Sequence, residues 1–388
     1  MGRWTKKDIE YMRMALRLAA KATDKTYPNP MVGAVIVKNG AVVGKGYHKK
    51  AGCDHAEITA MKKAGDSCRG ATMYVTLEPC DHYGKTPPCT GSIINSGIKK
   101  VVIASEDLNP LTAAKGIKRL RKAGISVRKG LLREEAVILN RKFNKFITEK
   151  MPYVTLKMAQ SLDGKIAARD GSSKWISSRA SRKFVKNMRE TFDAIIVGSG
   201  TAAKDDPFLL GPGGRGHDVR RVVMDSRLRI KESSNLIRTV PLAPLTILTT
   251  SLAPERKVER FRKIRGIDVI TVKSKKGKVS LRSGLRELAG RGVVNALVEG
   301  GGELAGSFVD EGLLDEVKFF ISPRIIGGGY SSVKGRGVRN IRESLCLENT
   351  EYSFMGGDIL VTGRVGAGKQ FRRKNRGAAT GICSRREP

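Results

Sequence analysis

The apolar positions of this chain recur at two spacings that alternate along it. Residues 5–20 place Ile9, Met12, Leu16 and Ala19 on one face at helical spacing, and Thr5 with Asp8 has the pattern of a capping box. Residues 32–37 and 41–47 read as two strands turned about Asn39-Gly40, a pair that readily takes the positive φ of a two-residue hairpin. Helical patterns at 55–64, 89–95 and 113–123 then alternate with strand patterns at 72–77, 101–104 and 125–127. That alternation predicts helices layered on a sheet. A further helix over 133–148 reads as a connector, and Pro152 breaks the pattern. A second α/β series opens at 153–159, with strands expected at 194–197, 221–224, 245–249, 268–272, 294–298 and 316–321.

The chain of 388 residues is longer than one ordinary domain, for which ~150 residues is typical. The expected division is a domain over 1–150, a second over 151–365, and a tail over 366–388. The tail holds seven Lys/Arg against one Glu and no apolar pattern, so it is expected to be disordered. There is no run of ~18 apolar residues and no apolar leader core at the N-terminus, which predicts a cytoplasmic location and no membrane partner.

Charge changes the picture only partly. The formal net charge of +36 invites a nucleic-acid reading, but the cations are spread along the whole chain and aromatics make up only 5%. That argues against nucleic acid as the main partner and suits phosphorylated small molecules. Six cysteines, at 53, 68, 80, 89, 346 and 383, are too sparse for a disulfide framework. Cysteines near histidines in such a chain point to metal or catalysis.

The strongest chemical pattern is His55-Ala56-Glu57 at the start of a helix, followed by Glu78-Pro79-Cys80 and by Cys89 at the start of another. Nucleobase deaminases carry an H-x-E … P-C-x-x-C pattern; here eight residues separate the two cysteines. One imidazole and two thiolates fill three positions of a tetrahedral zinc and leave the fourth to water. Zinc brings that water's pKa toward ~7, and Glu57, two residues from the histidine, is placed to move its proton without ligating. One zinc per chain is expected. His82 is a rival ligand by residue type, but its loop favours a solvated or substrate-facing role; Cys53 precedes His55 by two residues.

Beyond these ligands, Tyr27-Pro28-Asn29-Pro30-Met31-Val32-Gly33, Gly46-Tyr47-His48 and the stretch His82-Tyr83-Gly84-Lys85-Thr86-Pro87-Pro88-Cys89 resemble the deaminase half of the riboflavin-biosynthesis deaminase/reductase family. Leu156-Lys157-Met158-Ala159-Gln160-Ser161-Leu162-Asp163-Gly164-Lys165, Trp175-Ile176-Ser177-Ser178, Asp205-Asp206-Pro207 and Val298-Glu299-Gly300-Gly301-Gly302 resemble its reductase half. The resemblance runs from about residue 5 to 365 and leaves out the tail. It implies an α/β protein with a cytidine-deaminase-like α/β/α layered domain followed by a dihydrofolate-reductase-like α/β domain, assembling as a homo-oligomer. The implied reactions are hydrolytic deamination of a diaminopyrimidine ribosylamine phosphate, then NADPH reduction of the ribosyl chain to ribityl.

The resemblance also implies roles by position. In the deaminase it places substrate on Asn29, His48, Lys85, Asp107 and Asn109. In the reductase it places substrate on Lys157, Ser173, Arg189, Leu209 and Glu299. NADPH falls on Ala159, Trp175, Thr201, Asp205 and the loop Gly301, Gly302, Glu303, Leu304, Ala305, Gly306 and Ser307. From the residues alone, the glycines after Val298 open a helix where a backbone could approach phosphate, but as a lone motif this is weak and a packing turn is the default reading. The family follows Asp-Asp-Pro-x-Leu with Thr and Arg close behind; here the next arginine is Arg215, displaced past Gly211-Pro212-Gly213-Gly214.

Two other readings remain open. One is a deaminase of a nucleoside or tRNA base with an inert second half, favoured only by the charge. The other is a nucleic-acid scaffold with structural zinc, which would need a fourth protein ligand. The run Gly363-Arg364-Val365-Gly366-Ala367-Gly368-Lys369-Gln370 approaches a phosphate-binding loop, but Gln370 stands where a Ser or Thr would hold magnesium.

Overall fold

Asn39 and Gly40 both take positive φ, 51° and 78°, and turn β1 (Gly33–Lys38) into β2 (Ala41–Tyr47) where the dipeptide predicts it. The computed structural model describes residues 3–23, 26–83, 87–109, 113–214 and 219–366. The chain divides into two compact units, Met1–Met151 and Pro152–Pro388. Arg215, Lys85 and residues 367–388 lie outside the described residues.

The first unit is built on a sheet of order β2-β1-β3-β4-β5, where β3 is Thr72–Leu77, β4 Lys100–Ser105 and β5 Ser126–Lys129. β1 runs antiparallel to β2 and β3, while β3, β4 and β5 are parallel. The central strands are apolar throughout because both faces are covered. Val35, Tyr74, Val102 and Ala104 pack toward α1 (Lys6–Ala20) and α5 (Arg133–Leu139). Ile36, Met73, Val75, Val101 and Ile103 pack toward α2 (Ala56–Ala64), α3 (Cys89–Asn95) and α4 (Lys115–Lys122). The capping box of α1 forms as expected: Asp8 N donates to Thr5 Oγ1 at 3.1 Å and Thr5 N donates to Asp8 Oδ2 at 2.9 Å.

The connector expected as one helix over 133–148 is two, α5 and α6 (Arg141–Glu149). Between them Asn140 leaves helical geometry (φ −97°, ψ 17°), and its buried amide pairs with the Met31 backbone, accepting from N at 2.8 Å and donating to O at 2.9 Å. An amide drawn into a long-range contact competes with the helix ladder.

In the second unit nine strands form one sheet of order β11-β10-β9-β8-β14-β6-β15-β18-β17. These are β6 (Tyr153–Ser161), β8 (Ala194–Gly198), β9 (Arg220–Met224), β10 (Leu245–Thr249), β11 (Ile267–Thr271), β14 (Asn295–Val298), β15 (Glu316–Ser322), β17 (Leu347–Met355) and β18 (Asp358–Val365). The short strands β7 (Lys165–Ala167) and β16 (Tyr330–Ser331) pair with each other, as do β12 (Ser274–Lys275) and β13 (Lys278–Val279). Strands β11 through β15 in the sheet order are parallel; β18 and β17 close the edge antiparallel. The helices are α7 (Arg179–Met188), α8 (Ser199–Asp205), α9 (Asn235–Arg238), α10 (Glu255–Arg262), α11 (Leu281–Gly290) and α12 (Gly302–Asp310). In such parallel sheets ligands bind beyond the carboxyl ends of the strands. Gly363, Arg364 and Val365 belong to β18, so the run resembling a phosphate loop begins inside a strand. Among the described residues no helix is long and apolar enough to cross a membrane.

Gly33 shows how tightly the first unit is packed. A Cβ there would stand 2.0 Å from the Ala15 carbonyl oxygen of α1 and 2.8 Å from Ala19 N. Overpacking of this kind costs about 1–3 kcal/mol. Gly33→Ala should therefore lower the denaturant midpoint of the N-terminal unit; an unchanged midpoint in urea titrations of the whole protein would show that α1 shifts at no cost.

Candidate active sites

Three segments bring the expected metal ligands together. His55 is the residue before α2, in extended backbone, with no side-chain capping bond to hold its imidazole at the helix. Cys80 leaves the end of β3 through Glu78-Pro79, and Cys89 opens α3. Their ligand atoms lie within 4.8 Å of one another. His55 Nδ1 is 3.2 Å from Cys89 Sγ and 3.5 Å from Cys80 Sγ. Zinc bonds of ~2.1 and ~2.3 Å at tetrahedral angles would separate nitrogen from sulfur by about 3.6 Å, so the donor set fits a zinc ion with little movement. Cys53 stands outside this trio, and His82 is exposed.

The electrostatics agree with that fit. The hydrogen bond with Cys89 pulls the Cys80 thiol down to about 4, and the same contact pushes Cys89 upward: two thiols this close share one proton. A divalent cation would displace the proton and take both as thiolates. Glu57, in the first turn of α2, is buried and its Oε2 has no hydrogen-bond partner. Burial, and then the charge of Cys80, push its carboxyl up to about 7. A buried carboxylate oxygen without a protein partner, beside an imidazole and two thiols, is compatible with proton transfer at a metal site.

Two of the expected substrate residues touch. Asn29 Nδ2 lies 3.2 Å from His48 Nε2, and His48 Nδ1 lies 3.1 Å from the Asp54 carbonyl. The carbonyl can only accept, so Nδ1 carries the proton and Nε2 accepts from Asn29. The His48 ring meets the His55 ring edge-on at 5.3 Å, and burial lowers its pKa. Asp107 and Asn109 sit on the loop after β4, where Asn109 N donates to Asp107 Oδ1 at 2.9 Å. That loop is tied to the metal segment by Glu78, which sequence reasoning left without a role. Its buried carboxylate accepts from the backbone N–H groups of Asp107, Ala114 and Ile117 at 3.1–3.3 Å.

In the second unit Glu299, just past β14, receives Arg189 in a two-pronged ion pair, Nε to Oε1 at 2.7 Å and Nη2 to Oε2 at 3.0 Å. Lys157 on β6 stands 3.9 Å from the same carboxylate. Burial works against the Glu299 charge, but Arg189 and Lys157 outweigh it and hold its carboxyl below the usual range. Burial lowers the Lys157 pKa despite Glu299. Arg189 Nη1 also donates to the Leu210 carbonyl at 3.1 Å.

Beside this trio a cavity of about 770 Å³ opens at the carboxyl ends of β8, β9 and β14. Of the expected residues, Ser173, Thr201, Asp205, Gly301, Gly302, Glu303, Leu304 and Ser307 line it. Gly301 N donates to Thr201 Oγ1 at 3.1 Å, joining two of its walls. Ala305 and Gly306 do not line it: Ala305 is fully buried, and a Cβ on Gly306 would meet the Lys334 carbonyl at 2.0 Å, so both pack α12 against its neighbour. Ala159 packs with Val185, Phe320 and Leu360, while Trp175 lines a separate hollow of about 370 Å³ shared with Ser173. Leu209 is buried and lines neither. The lining also includes Ser226 and Arg227 after β9, which carry no sequence signal, and Lys276 and Lys278, whose signal is the lysine-rich turn about Gly277.

Comparison with known proteins accords with both sites. Residues 5–105 match the cytidine and deoxycytidylate deaminase zinc-binding region, and residues 152–361 match the RibD C-terminal domain. The riboflavin biosynthesis protein RibD of Aquifex aeolicus is 43% identical over 363 residues, which span 91% of this chain and 97% of that protein. The RibD of Escherichia coli is 37% identical over 371 residues, 91% of this chain and 98% of that one. Among solved structures, Acinetobacter baumannii RibD superposes with a TM-score of 0.81 at 32% identity, covering 93% of this chain and 99% of that chain. A diaminohydroxyphosphoribosylaminopyrimidine deaminase/5-amino-6-(5-phosphoribosylamino)uracil reductase from Thermotoga maritima superposes with a TM-score of 0.78 at 35% identity, with the same coverage. By sequence and by fold this chain belongs to the RibD family, bifunctional enzymes of riboflavin biosynthesis that join a zinc-dependent deaminase to an NADPH-dependent reductase.

Proposed function

We propose that residues 1–150 deaminate 2,5-diamino-6-(5-phosphoribosylamino)pyrimidin-4(3H)-one and residues 151–365 reduce the resulting 5-amino-6-(5-phosphoribosylamino)uracil, in a cytoplasmic homo-oligomer. The observation that carries the first step is the buried Glu57 carboxylate beside the His55, Cys80 and Cys89 trio. A zinc ion held by His55, Cys80 and Cys89 would activate a water for attack near neutral pH. Glu57 Oε2 takes one proton from the attacking water and passes it to a ring nitrogen as the C–O bond forms. It then carries the remaining hydroxyl proton to the amine, the C–N bond breaks, and ammonia leaves. Asn29 and His48 orient the pyrimidine, with His48 held in one tautomer by the Asp54 carbonyl; Asp107, Asn109 and Lys85 complete the contacts on this reading.

In the second step bound NADPH would supply the hydride that C1 of the opened ribose accepts. Thr201, Asp205 and residues 301–304 and 307 hold the cofactor in the larger cavity. Lys157 Nζ offers a proton at the sugar, and Glu299 and Arg189 fix where that ammonium stands. Ser173 and Leu209 border the substrate; Ala159 and Trp175 border the nicotinamide end.

Two experiments test the roles. Cys80→Ser and Cys89→Ser should each lose zinc by elemental analysis, whereas Glu57→Gln should keep it and slow ammonia release by about 10²-fold or more, leaving reduction of pre-deaminated substrate intact. Deamination by Glu57→Gln near the wild-type rate would remove Glu57 from the chemistry. Reduction should fall as pH rises through the Lys157 pKa, which burial has already lowered. Glu299 raises that pKa, so Glu299→Gln should move the alkaline limb of kcat to lower pH; a limb that stays in place would show that Lys157 is not the group titrating.

A further inference from the structure

Arg221 is a fully buried arginine, and among the described residues no carboxylate forms an ion pair with it. It lies on β9 in the sheet interior, between Ile195 of β8 and Leu245 of β10. Its guanidinium donates only to neutral oxygens: the Phe208 carbonyl at 3.1 Å, Thr239 Oγ1 at 2.7 Å and the Ala243 carbonyl. Nε finds no acceptor, and burial pulls the pKa down to about 10, which leaves the group charged at neutral pH. A cation taken out of water without a counter-charge is expensive. A leucine or methionine would fill the same volume with no such cost.

What the charge holds is the segment that follows α8. Asp206 and Leu209 both have positive φ, 38° and 52°. Asp tolerates that region, but Leu does not, and such strain persists only where the surroundings impose it. The segment is pinned at three points. Asn235 N donates to Asp206 Oδ1 at 2.8 Å, Arg221 grips the Phe208 carbonyl, and Arg189 grips the Leu210 carbonyl. The two arginines thus bracket Leu209 from opposite ends, and Arg189 is the one bound to Glu299 beside Lys157. The cofactor cavity is lined as far as Asp205 and by none of residues 206–210.

We propose that Arg221 is a positioning residue of the reductase: by gripping the Phe208 carbonyl from within the core it holds Leu209 in its left-handed conformation, and so sets where Leu209 and Arg189 meet the sugar substrate. The proposal rests on the substrate roles given above to Leu209 and Arg189. Its effect is selective, because the segment it holds serves the substrate and leaves the cofactor cavity alone.

The test uses the whole enzyme with Arg221→Lys, which keeps the charge, and Arg221→Met, which keeps the volume. Deamination is the internal standard for intact protein, and calorimetric titration with NADPH reports the cofactor cavity without turnover. The expected result in Arg221→Lys is a KM for the deaminated substrate raised about tenfold or more, with a smaller fall in kcat and an NADPH dissociation constant within about twofold of wild type. Backbone amides of Asp206, Phe208, Leu209 and Leu210 should exchange faster with deuterium while β8 and β9 stay protected. The proposal is overturned if either variant binds NADPH normally and reduces substrate with wild-type KM and kcat, or if both variants lose NADPH binding, which would make Arg221 a folding residue of the whole unit. Arg189→Lys separates the underlying reading: if it leaves the substrate KM unchanged, the substrate site lies elsewhere, whereas a raised KM there with unchanged Arg221 variants sinks the present inference alone.

Discussion

An ionised group inside a protein must be answered by charge or by hydrogen bonds, and the answer to Glu299 arranges the reductase half. Its carboxylate is buried at the end of β14, and both cations that meet it come from other elements, Arg189 after α7 and Lys157 on β6. Removing one partner from such a cluster leaves an uncompensated charge, which costs about 3–5 kcal/mol. That penalty gives Lys157 a fixed position without a fixed bond: at 3.9 Å from the carboxylate its ammonium is held by field more than by contact. On the role proposed above, a group that gives up a proton benefits from that looseness. Arg189, in close two-pronged contact, fixes the carboxylate itself.

The deaminase half answers its buried charge differently. Glu57 has an oxygen with no partner at all, and its carboxyl rises to about 7 because burial and the nearby thiolate disfavour its charge. Glu78, twenty-one residues on, is the opposite case: three backbone N–H groups satisfy it, and the carboxylate serves as a clamp on the loop of Asp107. The two glutamates belong to the same unit and differ only in what faces them. On the role proposed above, one exchanges a proton; the other holds a shape.

The metal ligands were legible in the sequence because ligand chemistry ties residue type to spacing: a histidine and glutamate opening a helix, and a Pro-Cys leaving a strand. The central strands were legible because a sheet covered on both faces needs unbroken apolar runs. The break at Asn140 was not, because its cause is a contact with Met31, 109 residues away in the chain. β17 was missed since its residues, Leu-Glu-Asn-Thr-Glu-Tyr-Ser-Phe-Met, are mostly exposed and carry no alternation to read. Arg221 opens a segment expected as a strand, where a charge reads as a solvated end; only the strands on either side of it show that it is inside. The residues expected at the cofactor divide the same way. Thr201 and Gly301 meet across the cavity, while Ala305 and Gly306 turn away from it because a helix has only one face toward a ligand.

The large positive charge also acquires a local meaning. Around the larger cavity Lys204, Arg227, Arg229, Lys275, Lys276, Lys278 and Lys334 stand against Asp205, Glu303 and Glu311. Two of those acids are engaged, Glu303 by Lys278 at 3.3 Å and Glu311 by Lys275 at 2.8 Å. These pairs are exposed or half-exposed, and such pairs contribute little to stability. Their cations can leave a carboxylate for a phosphate at small cost, since the exchange replaces one charge-assisted contact with another. An excess of positive charge around a concave site also raises the local concentration of anionic ligands. Both partners of the reductase, a dinucleotide carrying phosphates and a sugar phosphate, are of that sign, so the basic turn about Gly277 matters where it borders the cavity, in a chain whose cations are otherwise dispersed over its length.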